Sequence, residues 1–414
     1  MTIDRTSLIP QQAVLSNGQP VALFYDKAIN ILRIDVTFEA GTAYQHKKLV
    51  AGLTNSLISE GTRRHTSREI AEFMDFRGII MERSIETYTS TVSVYLLRKY
   101  AEELLPLLYE ILTDPIFPEE EFNVLLARRR QTLQTNFQKT RYVARNLFYE
   151  KLYGFNHVMG GYAVESDCDK ISVEDVRQFY KEHYTLSNAH YVLSGGCDKE
   201  IIDLFDRYFG HETYNPNPLK TIEKELPPLP TEPLFQSIPN TVQSTLRVGR
   251  ILPFRWDSID YVRFLILSTT LGGYFGSRLM QNIREDKGYT YGINSQTQLD
   301  RGTITFFIVS DVNANDAEAA MKEIDLELRR LCDAPIDKEE LERVQNYMRG
   351  DFIRSIDGTF EHAERYRQMY STCINEQFTE NYLNVLEECN PAALQELARE
   401  ILSPEKQLHI TVGK

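Results

Sequence analysis

Cysteine is scarce in this chain. There are five in 414 residues (Cys168, Cys197, Cys332, Cys373 and Cys389), odd in number, dispersed and never in a C-x-x-C arrangement. That usage excludes a disulfide framework and fits reduced structural thiols in a cytoplasm-like compartment. Long apolar runs are also missing: none approaches the roughly 18–20 residues that span a bilayer, so no membrane helix is expected. The amino terminus, Met1-Thr-Ile-Asp-Arg-Thr-Ser-Leu-Ile-Pro10, has neither an apolar core nor a small-residue cleavage site. No secretory signal is read there, and a cytoplasmic location is expected unless a leader has been removed. Positive charge is in deficit, 46 Lys and Arg against 59 Asp and Glu, for a net charge of −13. That balance argues against nonspecific binding to nucleic acid or an anionic membrane; it is compatible with cationic or amphipathic peptide partners, and equally with plain solubility. The eight histidines (His46, His65, His157, His183, His190, His211, His362 and His409) form no local ligand pair and read as surface or packed residues. The nearest echo of a metal motif, Glu361-His362, would need a histidine where Gly358 stands. No G-x-S-x-G nucleophile motif occurs, so a self-contained hydrolase has no support.

What is present is a duplicated pattern. At 414 residues the chain exceeds the length at which single cores stop growing, about 250–300 residues. Residues 213–233 hold six prolines, a density that blocks continuous helix and interior strand, so an extended linker is expected there. It separates an amino-terminal domain, 1–212, from a carboxy-terminal one, 234–414. The two sides read alike. The first has a strand over 32–38, a helix over 49–59, a capping-box helix start at Thr66 and Glu69, and an alternating strand over 91–96. A helix over 101–112, an acidic-start helix from Glu119 and a terminal strand over 187–196 complete it. The second repeats the order with a strand over 245–249, a helix over 258–271, an alternating strand over 302–309 and a helix over 316–331. An acidic-start helix from Lys338 and a strand over 407–413 close it. A duplicated α+β unit is predicted. Trp256, the only tryptophan, is expected at a strand–helix junction.

Two stretches carry chemistry. The run Ala51-Gly-Leu-Thr-Asn-Ser-Leu-Ile-Ser-Glu-Gly-Thr62 lies on an apolar helical pattern after the strand-like Arg33-Ile-Asp-Val-Thr-Phe-Glu-Ala-Gly41. In the second half stands Leu271-Gly-Gly-Tyr-Phe-Gly-Ser-Arg-Leu-Met-Gln-Asn-Ile-Arg-Glu-Asp-Lys-Gly-Tyr-Thr-Tyr291. Its glycines have the wrong spacing for a dinucleotide or phosphate loop. Together these resemble the pitrilysin/insulinase family of zinc peptidases, whose members carry an inverted H-x-x-E-H motif in the first half and S-R-L, I-R-E and G-x-x-Y in the second. The likeness spans essentially the whole chain and extends to mitochondrial processing peptidase and the core subunits of the respiratory cytochrome complex.

The resemblance implies two homologous α+β domains, each a mainly antiparallel sheet with helices packed on one side, related by a pseudo-two-fold. It also exposes a gap. The motif's two histidines and its glutamate fall on Gly52, Ser56 and Asn55. The further Glu ligand falls near Gln134, in Ala127-Arg-Arg-Arg-Gln-Thr-Leu-Gln134. None of these is a usual zinc donor, so no metal or other cofactor is expected in this chain. Arg128-Arg-Arg130 reads as a solvated, ion-paired face, since consecutive helical residues point in different directions. Arg284 and Tyr291, seven positions apart, stand where the family holds the substrate backbone; the bland alternative is a helix-end arginine on a surface carboxylate and a half-buried strand tyrosine. By family resemblance this is the zinc-free subunit of a heterodimeric metallopeptidase, its zinc on a homologous partner and its substrate an unfolded peptide. In isolation a homodimer is possible; nucleic acid and membrane are not expected partners. The competing reading is a non-enzymatic scaffold with an idle cleft.

Overall fold

Alternating apolar residues build the strands and apolar stripes build the helices, and the computed structural model describes them over residues 8–215, 219, 225–230 and 232–414. Of the expected linker, residues 216–218, 220–224 and 231 lie outside the described residues, as do residues 1–7 of the stretch read for a leader. The first half supplies strands β1 (Gln11–Val14), β2 (Pro20–Tyr25), β3 (Ile31–Phe38), β4 (Ile80–Ile85), β5 (Ser90–Leu97) and β6 (His190–Gly195). Its helices are α1 (Val50–Leu57), α2 (Ser67–Arg77), α3 (Ala101–Thr113), α4 (Glu119–Asn136), α5 (Thr140–Tyr153), α6 (Val173–His183) and α7 (Lys199–Phe209). The second half supplies β7 (Leu234–Ser237), β8 (Gln243–Leu252), β9 (Thr290–Asp300), β10 (Thr303–Asn313) and β11 (Leu408–Gly413). Its helices are α8 (Ile259–Ser268), α9 (Ala317–Asp333), α10 (Lys338–Arg354), α11 (Thr359–Thr372), α12 (Glu376–Glu388) and α13 (Pro391–Ile401).

The duplication is visible in the strand order. One sheet runs β1-β2-β6-β3-β5-β4 and the other β7-β11-β8-β10-β9. Drop β1 and the two orders superpose: β2, β6, β3, β5, β4 correspond in turn to β7, β11, β8, β10, β9. The pairing senses match as well. β2–β6 and β7–β11 are parallel, and the remaining pairs are antiparallel. The fold is α+β, with two mixed, mainly antiparallel sheets.

In each sheet one face carries the main helical layer. Leu32, Ile34, Val36 and Phe38 of β3 alternate into a core shared with Leu53 and Leu57 of α1, Leu104 and Leu108 of α3, Phe179 of α6 and Phe205 of α7. Ile304, Phe306 and Ile308 of β10 do the same against Phe264 of α8, Ile324 and Leu328 of α9 and Leu394 of α13. Trp256 packs at the edge of that second core, between β8 and α8.

The opposite faces hold an arrangement that the sequence does not announce. The two compact units are not continuous in sequence: the first takes in Ser355–Ser371 and the second takes in Gln134–Tyr162. Thus α11 lies on the far face of the first sheet, with Ala363 and Tyr366 against Ala22, Phe24 and Val192. Reciprocally, α5 lies on the far face of the second, with Val143 and Phe148 against Phe307, Val309, Ile410 and Val412. Each half gives the helix after its acidic-start helix to the other half's sheet.

Candidate functional site

In the first unit, α1 carries the degenerate motif. The helix starts at Leu49, held in the left-handed region at φ 76°, a conformation costing a branched residue about 1 kcal/mol or more. Asn55 is buried and donates from Nδ2 to the carbonyl of Ser84 on β4 at 2.8 Å, leaving its Oδ1 buried without a hydrogen-bond partner. The Ser56 hydroxyl donates back to the Gly52 carbonyl at 2.8 Å, so it is spent on its own helix. Where Gly52 would carry a Cβ, the nearest side-chain atom is Nη2 of Arg129 on α4, at 4.0 Å. Gln134, also on α4, is exposed. Zinc needs nitrogen, thiolate or carboxylate donors, and this place offers a glycine, an amide, a hydroxyl and a guanidinium that repels a cation. The residues present do not fit a metal. Among the described residues no three His, Cys, Asp or Glu side chains are grouped so as to hold one.

In the second unit, the segment after α8 passes through a π-helical turn (Thr269–Gly273) and a second π-helical stretch (Met280–Asp286), a form that recurs at functional sites. Gly272 is required where it stands, since a Cβ there would lie 2.7 Å from the Ser295 backbone nitrogen. The second stretch ends at Gly288, whose φ of +67° lets Tyr289 N–H reach the Ile283 carbonyl at 3.0 Å. Arg284, in its last turn, pairs with Glu285 at 3.4 Å and lies over the ring of Phe275, 5.0 Å from the centroid. Phe275 is itself 66% exposed, an unusual place for a phenylalanine.

Tyr291 owes its position to a β-bulge. Thr290 pairs with Val312 and Ile293 with Ser310, so Tyr291 and Gly292 together oppose the single residue Asp311. Two hydroxyls sew the bulge: Thr290 Oγ1 donates to the Asp311 carbonyl at 2.7 Å, and Ser310 Oγ donates to Thr290 Oγ1 at 3.0 Å. The bulge turns Tyr291 outward, 94% exposed. It is not a half-buried strand aromatic, and Arg284 uses a ring as well as a carboxylate.

The first unit also holds a cavity of about 960 Å³ between the far face of its sheet and α11, lined by Arg33, Tyr95, Glu364 and Arg367 among others. Its buried charges answer one another. Arg33 pairs with Asp35 at 2.8 Å and Glu364 at 2.6 Å; Arg367 pairs with Glu364 at 2.6 Å and Glu86 at 3.3 Å. Burial pushes Asp35 up against the pull of Arg33. Burial also works to raise Glu364, but hydrogen bonds from Arg367 and Arg33 outweigh it and hold the carboxyl at about 2. This network fastens α11 to the sheet.

Comparison with known proteins finds relatives of this chain. Residues 170–348 match the family model described as "Peptidase M16 inactive domain". The "Uncharacterized zinc protease YmxG" of Bacillus subtilis is 23% identical over 403 residues, covering 95% of each chain. The chain resembles the M16 peptidases along its length. A further relative, the "Non-peptidase homolog YmxG" of Helicobacter pylori, is 24% identical across 70% of this chain and 67% of its own length. The crystal structure of a peptidase M16 inactive domain from Pseudomonas fluorescens superposes with a TM-score of 0.86 at 19% identity, over 98% of both chains.

Two residues of these sites are not singled out by the sequence. Phe275 stands within the glycine-bearing loop, and an aromatic nine positions before Arg284 is a usable signal. Arg129 was read with its neighbours as a solvated, ion-paired face. Arg130 fits that reading, paired with Asp169 at 2.7 Å, but Arg129 turns toward Gly52.

Proposed function

We propose that this chain is the zinc-free subunit of a two-chain metallopeptidase. It would orient an unfolded peptide with Arg284 and Tyr291 against a zinc site on a homologous partner. The observation that carries the reading is the bulge that presents Tyr291 to solvent, in a chain whose own motif positions are Gly52, Asn55 and Ser56. An exposed tyrosine hydroxyl can donate to a carbonyl oxygen as it gains charge, and a guanidinium over the ring of Phe275 has donors for a peptide carbonyl or carboxylate. The partner's metal would polarise the carbonyl and activate water; this chain's residues bind and position. The same reading places the protein in a thiol-reducing compartment, with no metal of its own.

Mixing the protein with a zinc-bearing homologue and a quenched fluorogenic peptide tests the proposal. Activity should appear that neither chain shows alone. Arg284→Ala or Tyr291→Phe should lower turnover by about 10²–10³, the usual loss for one oriented donor, while gel filtration shows the complex intact. Full activity from both variants, or no zinc-bearing homologue that binds, transfers the chain to the scaffold reading.

A further inference from the structure

The place where an M16 peptidase would hold zinc is built here for a different charge. Arg129 reaches across from α4 to within 4.0 Å of the point where Gly52 would carry its Cβ. A larger side chain at position 52 would occupy that space. Two neighbouring arginines are answered within the protein. Arg83 of β4 donates from Nη1 to the Ser56 carbonyl at 2.8 Å and to the Ser59 hydroxyl, and Arg130 pairs with Asp169 at 2.7 Å. Arg129 makes no hydrogen bond or ion pair among the described residues, although it is partly buried. A partly desolvated guanidinium without an acceptor is costly, and it is the donor array best matched to a carboxylate. On the same helix face region, Asn55, 3% exposed, keeps an Oδ1 without a hydrogen-bond partner. An amide oxygen only accepts hydrogen bonds, so it offers nothing to a carboxylate and Arg129 is the donor of this place. Alongside runs β4, an edge strand paired only with β5 and mostly exposed along its length. An extended chain can lie against such an edge.

We infer that Arg129 and the gap at Gly52 form a carboxylate-binding site, which takes the carboxylate of a peptide in place of a metal ion. The inference stands on the first unit alone and does not require Arg284, Tyr291 or a partner subunit. The ligand group is either a free C-terminus or a Glu or Asp side chain, and the two sources are separable by experiment.

The test is fluorescence anisotropy of the full chain with three fluorescein-labelled decapeptides at low salt. One has a free carboxyl terminus and no acidic residues, the second is its C-terminal amide, and the third is the amide with one internal glutamate. The expected result is binding of the free acid or the glutamate peptide about tenfold tighter than the plain amide, in line with one charge-assisted bond. That preference should vanish in Arg129→Gln and survive in Arg128→Gln, which removes the same charge from an exposed neighbour. Gly52→Leu, which fills the gap with a good helix former, should abolish it too and guards against misreading a general effect at position 129. The assay reads binding by this chain alone, whereas the two-chain reading is read as turnover with a zinc-bearing homologue, so failure of the two-chain reading and failure of this site give different results. Equal binding of all three peptides, or a preference that persists in Arg129→Gln, overturns the site. So does its equal loss in Arg128→Gln, which would mark mere attraction by net charge.

Discussion

Glycine at position 52 sits inside a helix, where it is about 1 kcal/mol less favourable than alanine. Nothing in the packing demands that sacrifice of the helix. An added Cβ would meet only the tip of Arg129, at ordinary contact distance, 4.0 Å away. Gly52→Ala should therefore stabilise the fold by about 0.5–1 kcal/mol, read as a higher urea midpoint with an unchanged slope. A loss of stability would mean that the α1–α4 contact is tighter than described. Tyr291 lies at the other extreme. With 94% of its surface exposed, it contributes little to packing, and its place is set by Thr290 and Ser310 rather than by its own ring. Of these features only the residue types were legible in the sequence. The missing ligands at Gly52, Asn55 and Ser56 can be read directly, and so can the spacing of Arg284 and Tyr291. That Arg129 turns toward the gap cannot, because three successive arginines on a helix look alike until a neighbouring helix fixes which one turns inward.

Helix α11 shows what an element owes to a partner distant in sequence. Its docking on the first sheet rests on the Glu364 pairs and on His190 of β6, which stacks on Tyr370 at 3.8 Å and keeps Nδ1 without a hydrogen-bond partner. Burial lowers the His190 pKa to about 4. In the folded state His190 therefore stays neutral where the unfolded chain would protonate, so stability is full above about pH 6.5 and falls as pH drops toward 4. That contribution is on the order of 3 kcal/mol. Glu364 acts in the next window down: its contribution is present above the ordinary carboxylate range and is lost as pH falls toward about 2. Thermal unfolding between pH 7 and 4 should show a falling midpoint that His190→Phe flattens; an identical slope in the variant would remove His190 from the account. Glu364→Gln at pH 7, which leaves Arg33 and Arg367 short of a buried partner, should cost about 3 kcal/mol. No helix is expected from the sequence over residues 359–372, and periodicity alone could not have given its destination. Amphipathic periodicity says that a face will be buried and does not say against which sheet. The strands were easier, because β3, β5, β8 and β10 alternate and their order recurs on both sides of the prolines.

At the scale of the molecule, the reciprocal exchange of α5 and α11 changes what counts as a domain. A cut at the proline-rich stretch yields 1–212 and 234–414, the division that composition suggests. Neither piece would contain a whole unit. The first would lack α11, exposing Ala22, Phe24 and Val192 and leaving buried Arg33 and Asp35 without Glu364 and Arg367 above them. The second would lack α5, uncovering Phe307, Val309, Ile410 and Val412 together with Arg247, whose guanidinium lies 4.9 Å from the ring of Phe148 on that helix. Each fragment would also carry a helix with no sheet to cover, α5 in the first and α11 in the second. Exposed apolar faces of that kind drive aggregation or a loosely packed state. Produced alone, each fragment should bind a hydrophobic dye and lack a cooperative thermal transition, even though its main helical layer is complete. Produced together, the two should associate and recover one sharp transition, because each restores the helix the other is missing. Mutating the donated face should block that recovery: Phe148→Asp in the first fragment introduces an unpaired charge against the second sheet, a change worth several kcal/mol. Two fragments that each fold cooperatively alone would show that the exchanged helices decorate finished domains. Recovery that depends on Phe148 would show instead that the duplicated halves are bound into one folding unit by the helices they trade.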